Sequence, residues 1–178
     1  MFEKPGIFFR VEDKKLEFTI NYDVIDRIQC REKTAYFVFV RNLLETDDME
    51  LFEKLLCHIM QSAIDIYNEE HEEKVVEITE EDIENNVQDF VGFKSEILKM
   101  IIDTLPDLDS DDDFAEEDTG NEEVDIAYLF SEARRIFHYS ALEFRKETPR
   151  NFWNIYVPYL KMCGRLKEKK TIDDIIPF

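Results

Sequence analysis

The pattern of apolar and polar residues predicts a β-hairpin at the start of the chain, followed by helices. Residues 6–11 and 16–22 have strand character, and the polar residues 12–15 between them form a short connector. In the second strand three apolar residues alternate onto one face: Leu16, Phe18 and Ile20. An isolated hairpin is only marginally stable, so it must pack on helices. The first of these is predicted over residues 23–28, with Asp23 as its cap.

The stretch 35–44 supports two interpretations. Its first half, residues 35–40, has the β-branched and aromatic content that is typical of a strand. Continued to Leu44, however, it forms an apolar stripe along one side of a helix: Tyr36, Phe37, Val40, Leu43 and Leu44. We predict a helix.

The clearest helical periodicity begins at Thr46 or Asp47 and ends in the polar run 68–74. Its apolar residues recur at spacings of three and four: Phe52, Leu55, Leu56, Ile59, Ala63, Ile66 and Tyr67. This spacing places them on one face and predicts a long amphipathic helix against the core.

Two shorter helices follow. Thr79 and Asp82 have the spacing of a capping box, and the helix that they open turns three apolar side chains inward: Ile83, Val87 and Phe90. We expect Gly92 to break this helix. Residues 95–105 form the second helix, which Pro106 ends.

The last part of the chain is again helical. Residues 124–138 carry an apolar stripe, and Ser140-Ala141-Leu142-Glu143 fits a capping box that opens a short helix. Thr148 is predicted to cap a final helix, in which Pro149 takes the first position, where a missing N–H costs little. Gly164 is expected to end it.

Charge divides the chain into three parts. The net charge is −20, and residues 103–125 hold 12 acidic and no basic side chains, whereas residues 126–178 hold 6 acidic and 10 basic ones. So many like charges repel one another, which predicts an acidic, flexible linker over residues 106–125. The linker separates an N-terminal domain (1–105) from a small C-terminal helical module (126–178) with a basic and apolar tail. The predicted fold class is α+β, mostly α-helical, with the N-terminal hairpin packed on helices.

No catalytic residue, metal site or cofactor is predicted. Cys57 and His58 are neighbours on a helix and point about 100° apart, so they do not form a nucleophile and base. Calcium loops starting at Asp107 or Asp109 would place Asp112 or Phe114 where glycine is required. Three widely spaced cysteines suit a reducing compartment. The sequence contains no run of about 18 apolar residues, so no membrane span is predicted. Cytoplasmic localisation is therefore expected.

One segment resembles a known family. Ser140, Glu143 and Phe144, followed by Thr148-Pro149-Arg150 and Phe152-Trp153, match a pattern found in the C-terminal module of tail assembly chaperones of long-tailed bacteriophages. The likeness extends over residues 126–162 and departs at Asn151, where the family commonly has Glu. Residues 1–102 are similar to the N-terminal domain of these chaperones in layout only. The chain would correspond to the long, two-module form.

The resemblance implies a protein that is not an enzyme. Such chaperones coat the tape-measure protein and recruit tail-tube subunits in the host cytoplasm, and they are absent from the mature virion. Their self-association is also compatible with this role, whereas membrane or nucleic-acid binding is not expected. The candidate client-binding residues are Phe144, Thr148, Pro149, Arg150, Phe152, Trp153 and Tyr156. The alternative is that the aromatic residues among them form the core of a small helical module.

The acidic composition supports a second hypothesis. The acidic runs 69–73 and 80–84 are either a solvated surface or a mimic of DNA phosphates. In the second case, the chain would inhibit a host nucleic-acid-binding protein, and salt would weaken the complex strongly. Bare nucleic acid itself would be repelled by the negative charge.

Overall fold

The computed structural model describes residues 6–46, 48–106 and 123–165, and it has a two-stranded antiparallel hairpin followed by helices. The strands are β1 (Ile7–Val11) and β2 (Lys14–Phe18). The helices are α1 (Tyr22–Glu32), α2 (Tyr36–Thr46), α3 (Met49–Glu70), α4 (Glu80–Asn86), α5 (Phe90–Thr104), α6 (Ile126–Phe137), α7 (Ala141–Arg145) and α8 (Pro149–Met162). The predicted α+β, mostly helical class with a hairpin packed on helices is confirmed.

The hairpin is amphipathic because alternate residues of its strands face the core. Four side chains are buried: Phe9, Val11, Leu16 and Phe18. The register pairs Phe9 with Leu16 and Val11 with Lys14, so a two-residue turn joins the strands and Glu12 takes a φ of 54° there. On the opposite face, the Lys15 ammonium lies 3.5 Å from the centre of the Phe8 ring.

Helix α1 begins earlier and ends later than predicted. Its cap is Asn21, whose side chain accepts a hydrogen bond from the Val24 N–H at 2.9 Å. The prediction of Asp23 as cap was wrong, because the Asp23 carboxylate instead accepts hydrogen bonds from two arginines. Strand β2 ends at Phe18, earlier than predicted. Of the residues 19–22 that were assigned to this strand, the first three connect it to α1 and Tyr22 is the first residue of the helix.

The ambiguous stretch is helical, as predicted, but the helix is rotated relative to the expected stripe. Tyr36, Val40 and Leu43 are buried in α2, whereas Phe37 and Leu44 are exposed and Phe39 is buried in their place. The next helix, α3, starts after its cap Asp48, whose side chain accepts from the Glu50 N–H. Asp47, one of the two predicted starts, lies outside the described residues.

The capping box of Thr79 and Asp82 at the start of α4 is confirmed, with hydrogen bonds in both directions. The predicted break at Gly92 was wrong, because Gly92 lies in the first turn of α5. The break comes earlier, where Asp89 caps α5 by accepting from the Val91 N–H. A Cβ at position 92 would lie 2.6 Å from the Asp89 carboxylate, so glycine leaves room for this cap. Phe90, expected to face inward, is exposed.

Asn86 closes part of the free edge of β1. Its side-chain oxygen accepts from the Arg10 N–H at 2.8 Å, and its amide nitrogen donates to the Arg10 carbonyl at 2.6 Å. The amide thus occupies the backbone groups that a third strand would pair with, and it ties α4 to the sheet.

We expect Asn86→Ala to lower the free energy of unfolding by about 1–2 kcal/mol, because two net hydrogen bonds are lost at a partly exposed site. Hydrogen exchange at the Arg10 amide should accelerate, which NMR would measure. Asn85→Ala, at an exposed neighbouring position, is the control. Equal protection of Arg10 in wild type and Asn86→Ala would contradict the assignment.

The C-terminal helices complete the same core as the N-terminal part. A single cluster of buried apolar residues runs from Phe9 to Leu160. Helix α8 is stopped, as predicted, by Gly164, which follows the cap residue Cys163 and has a φ of +67°. There the N–H of Gly164 donates to the Lys161 carbonyl and that of Arg165 to the Leu160 carbonyl, which is a Schellman motif.

Residues 107–122 of the predicted acidic linker lie outside the described residues, as do the candidate calcium loops and the basic and apolar tail beyond Arg165. At the end of the linker, Val124 is anchored: its N–H donates to the Gln29 side chain at 2.8 Å, and its carbonyl accepts from the same amide at 2.9 Å. The domain boundaries stay a prediction, but the described parts on either side do not have separate cores.

Candidate functional site

The segment that carries the family pattern forms two consecutive helix starts, both as predicted. The Ser140 hydroxyl accepts from the Glu143 N–H, and the Glu143 carboxylate accepts from the Ser140 N–H at 2.8 Å. After the short helix α7, Thr148 caps α8 and Pro149 takes its first position. The local chain geometry therefore follows directly from the sequence pattern.

Aromatic rings from three helices meet beneath this segment. The Tyr22 ring of α1 is stacked on the Phe144 ring of α7, with centroids 4.5 Å apart and planes 10° apart. The Phe152 ring of α8 meets both edge-on, at 5.8 and 6.0 Å. The first N–H of α1, that of Tyr22, donates to the Glu147 carbonyl at 3.0 Å. The segment thus closes the start of α1 and shields it from water.

The seven candidate client-binding residues divide into two groups. Five are buried: Phe144, Thr148, Pro149, Phe152 and Tyr156. Arg150 and Trp153 are partly exposed. The buried rings occupy the hydrophobic core, which was the alternative interpretation, although this core is shared with the N-terminal part rather than belonging to a small module. A partner would reach them only if the helices separated, whereas Arg150 and Trp153 are accessible in the folded chain.

Arg150 joins the start of α8 to the end of α5. Its Nε donates to the Leu105 carbonyl at 2.9 Å, and its guanidinium also donates to the Ile102 carbonyl at 3.2 Å. These carbonyls belong to the last turn of a helix, where a cation is favoured by unpaired acceptors and by the helix dipole.

We expect Arg150→Ala to lower the free energy of unfolding by about 1–2 kcal/mol, because two charge-assisted hydrogen bonds at a partly exposed site are lost. Arg150→Lys should recover only part of this loss, since an ammonium lacks the planar fork that reaches both carbonyls. Urea denaturation of both variants measures the difference. Full stability in Arg150→Ala would show that the contacts do not hold α8 on α5.

An ionic network lies next to the aromatic cluster. The Asp23 carboxylate accepts from Arg27 Nε at 2.6 Å and from Arg145 Nε at 2.8 Å. Arg27 also donates to Asp65 at 2.6 Å, and Arg145 also pairs with Glu69. Burial alone would raise the pKa of Asp23, but the two guanidinium groups outweigh it and hold that pKa below its ordinary value. The network joins α1, α3 and α7.

A second buried carboxylate, Glu132, joins α6 to α8. It accepts from the Arg135 guanidinium at 2.7–2.9 Å and from the Tyr156 hydroxyl at 3.1 Å. Its side chain is only 10% exposed, and Arg165 Nη1 lies 3.5 Å away. The hydrogen bond from Arg135, supported by that from Tyr156, lowers the pKa of Glu132, so the carboxylate stays ionised in its structural role. Neither network was predicted from the sequence, although the helical spacings of Asp23 with Arg27 and of Glu132 with Arg135 each signal a local contact.

The remaining chemistry-bearing groups do not assemble into a reactive site within residues 6–46, 48–106 and 123–165. Cys57 is exposed and His58 is buried, so the two face different sides of α3, as predicted. His58 Nε2 lies 2.9 Å from the Glu32 carboxylate. Among these residues, no three His, Cys, Asp or Glu side chains lie close enough together to hold a metal ion.

Comparison with known proteins gives no relative: no family model, no curated protein and no solved structure matches the chain. Of the helices in the described residues, none has both the length and the apolar character needed to cross a membrane.

Proposed function

We propose that the chain is a non-enzymatic tail assembly chaperone of a long-tailed bacteriophage. It binds the tape-measure protein and recruits tail-tube subunits in the host cytoplasm, and it is absent from the mature virion. The observation that carries this proposal is the family pattern between Ser140 and Trp153, from a capped short helix to a Thr-Pro-Arg helix start with an aromatic pair.

The accessible part of this pattern offers a contact surface. Trp153 is partly exposed on α8, one turn after Arg150, which in turn contacts the end of α5 at Ile102. Ile102 is 55% exposed. Tryptophan and arginine are among the residues that most often dominate the energy of protein–protein contacts, and here Arg150 also contacts Ile102, whose side chain is exposed. We assign the tape-measure or tail-tube contact to this surface.

The test uses the full chain, because the parts on either side of residues 107–122 share one core and would not report on the folded protein when separated. The tagged chain is co-produced with the tape-measure and tail-tube proteins of the same phage, and captured proteins are identified by mass spectrometry. We expect wild type to retain at least one of them and Trp153→Ala to lose most of it. Phe37→Ala, an exposed aromatic on α2, is the matched control.

Two results would contradict the proposal. One is the presence of the chain in mature particles in fixed proportion to the tail-tube protein. The other is capture of a nucleic-acid enzyme alone, in a complex that moderate salt dissociates, because a DNA mimic depends on charge whereas a chaperone also depends on apolar contacts.

A further inference from the structure

A group of exposed apolar side chains lies where the starts of α3 and α5 meet. Met49, Phe90 and Val91, which we call the apolar patch, are 41%, 45% and 77% exposed. The Lys94 ammonium lies 3.2 Å from the Met49 sulfur, and the Phe90 ring meets the buried Phe52 ring edge-on at 6.0 Å. These contacts bring the two helix starts side by side. Val91 lies three residues before Lys94 and therefore next to it on the surface of α5, so the three exposed side chains border the same junction.

Exposed acidic side chains lie close to the apolar patch along the chain. These side chains, which we call the acidic rim, are Glu45, Asp48, Glu50, Glu53 and Asp89. Asp48 and Asp89 precede the first residues of α3 and α5, and Glu53 lies one turn after Met49 on the same face. The nearby lysines are engaged locally: Lys54 pairs with Glu50 at 2.8 Å, and Lys94 lies over the Phe52 ring and against Met49. The two helix starts that carry the apolar patch therefore also carry exposed negative charge.

We propose that the apolar patch and its acidic rim dock a basic amphipathic helix of another protein. The partner helix would lay its apolar side chains on Met49, Phe90 and Val91, and its lysines or arginines would meet the rim. Charge complementarity selects this occupant. A second copy of the chain in a symmetric contact would bring the same five acidic residues against one another, which is unfavourable. The inference is independent of the tail assembly function, because it rests on a different surface.

The first arm of the test addresses the apolar contact. The probe is a fluorescent designed helix of leucine and lysine, titrated with the full chain and followed by anisotropy. We expect binding that Val91→Ser weakens by about tenfold, since two buried methyl groups are lost. Val76→Ser, which changes an 88% exposed valine away from the apolar patch, should leave the affinity unchanged. Circular dichroism checks that both variants are folded.

The second arm addresses the charge. Glu53→Lys is expected to weaken binding of the same peptide clearly more than Glu84→Lys, an exposed residue of α4. Both variants change the net charge equally, so the comparison separates the rim from the general negative charge of the chain. A peptide with glutamate in place of lysine should not bind.

Several outcomes would overturn the proposal. Equal effects of Glu53→Lys and Glu84→Lys, or of Val91→Ser and Val76→Ser, would show binding without a defined site. A dimer that Val91→Ser dissociates in sedimentation experiments would assign the surface to self-association. If the peptide bound only after residues 166–178 were removed, the chain's own basic and apolar segment would be the occupant of this surface. A failure of this test leaves the tape-measure capture experiment unaffected, so the two proposals are distinguishable.

Discussion

Replacing Phe152 by alanine is expected to lower the free energy of unfolding by about 4 kcal/mol, the largest effect of any single substitution discussed. The Phe152 side chain is fully buried. Its ring packs against five others, with centroids 5.2–6.3 Å away: Tyr22, Phe137, Phe144, Trp153 and Tyr156. Removing it leaves a cavity lined by residues of four helices, which cannot all close in together. Urea denaturation followed by Trp153 fluorescence and by circular dichroism measures the loss.

The same experiment tests whether the core is shared. If so, both signals should change in one transition in the variant as in wild type, because residues 6–106 and 123–165 unfold together. Two separated transitions, with the helical content of the N-terminal part unaffected by Phe152→Ala, would instead show an independent C-terminal module. Phe37→Ala, at a half-exposed position on α2, should cost less than about 1 kcal/mol.

Replacing Asp23 by asparagine is expected to cost about 3 kcal/mol at neutral pH, because it removes the anion shared by two partly buried arginines. Arg27 retains Asp65 and Arg145 retains Glu69, which keeps the loss from being larger. Asp26→Asn is the matched control, since it makes the same change at an exposed position of the same helix. It should alter stability by less than about 0.5 kcal/mol.

The contribution of Asp23 should depend on pH in a defined direction. Its folded-state pKa lies below the ordinary value of 3.8, so the stabilisation is fully present above that value and is lost as the pH falls through the folded-state pKa. The difference in unfolding free energy between wild type and Asp23→Asn should therefore be constant near neutral pH and shrink below about pH 4. A difference that persists unchanged at lower pH would show that the loss comes from packing rather than from charge.

The sequence predicted those parts of the fold that depend on neighbouring residues. The hairpin, the capping boxes at Thr79 and Ser140 and the end of α8 at Gly164 all arise from interactions over a few positions. The rotation of α2, which buries Phe39 in place of Phe37, was not predictable in this way, because it depends on which helices surround α2. The break before α5 was misplaced for a local reason: Asp89 is a better signal for a helix start than Gly92 is for an end.

The candidate site shows the same division between local and distant information. Thr148 and Pro149 start α8 as their residue types require. The pairing of Arg145 with Asp23 and the stacking of Phe144 on Tyr22 join residues more than 100 positions apart, and no spacing rule indicates such contacts. The functional meaning of the 140–153 pattern therefore rests on its resemblance to a family, while its structural role became visible only in the assembled core.

The stacking of Tyr22 on Phe144 also determines when this protein can fold. During synthesis, α1 leaves the ribosome long before α7 and α8 exist, so the rings of Phe144 and Phe152 that cover Tyr22 are missing for most of translation. Contacts of such long sequence separation form late and slow the folding reaction. The nascent chain must therefore carry uncovered aromatic rings until α8 emerges. The shared core can be completed only after that helix has been synthesised.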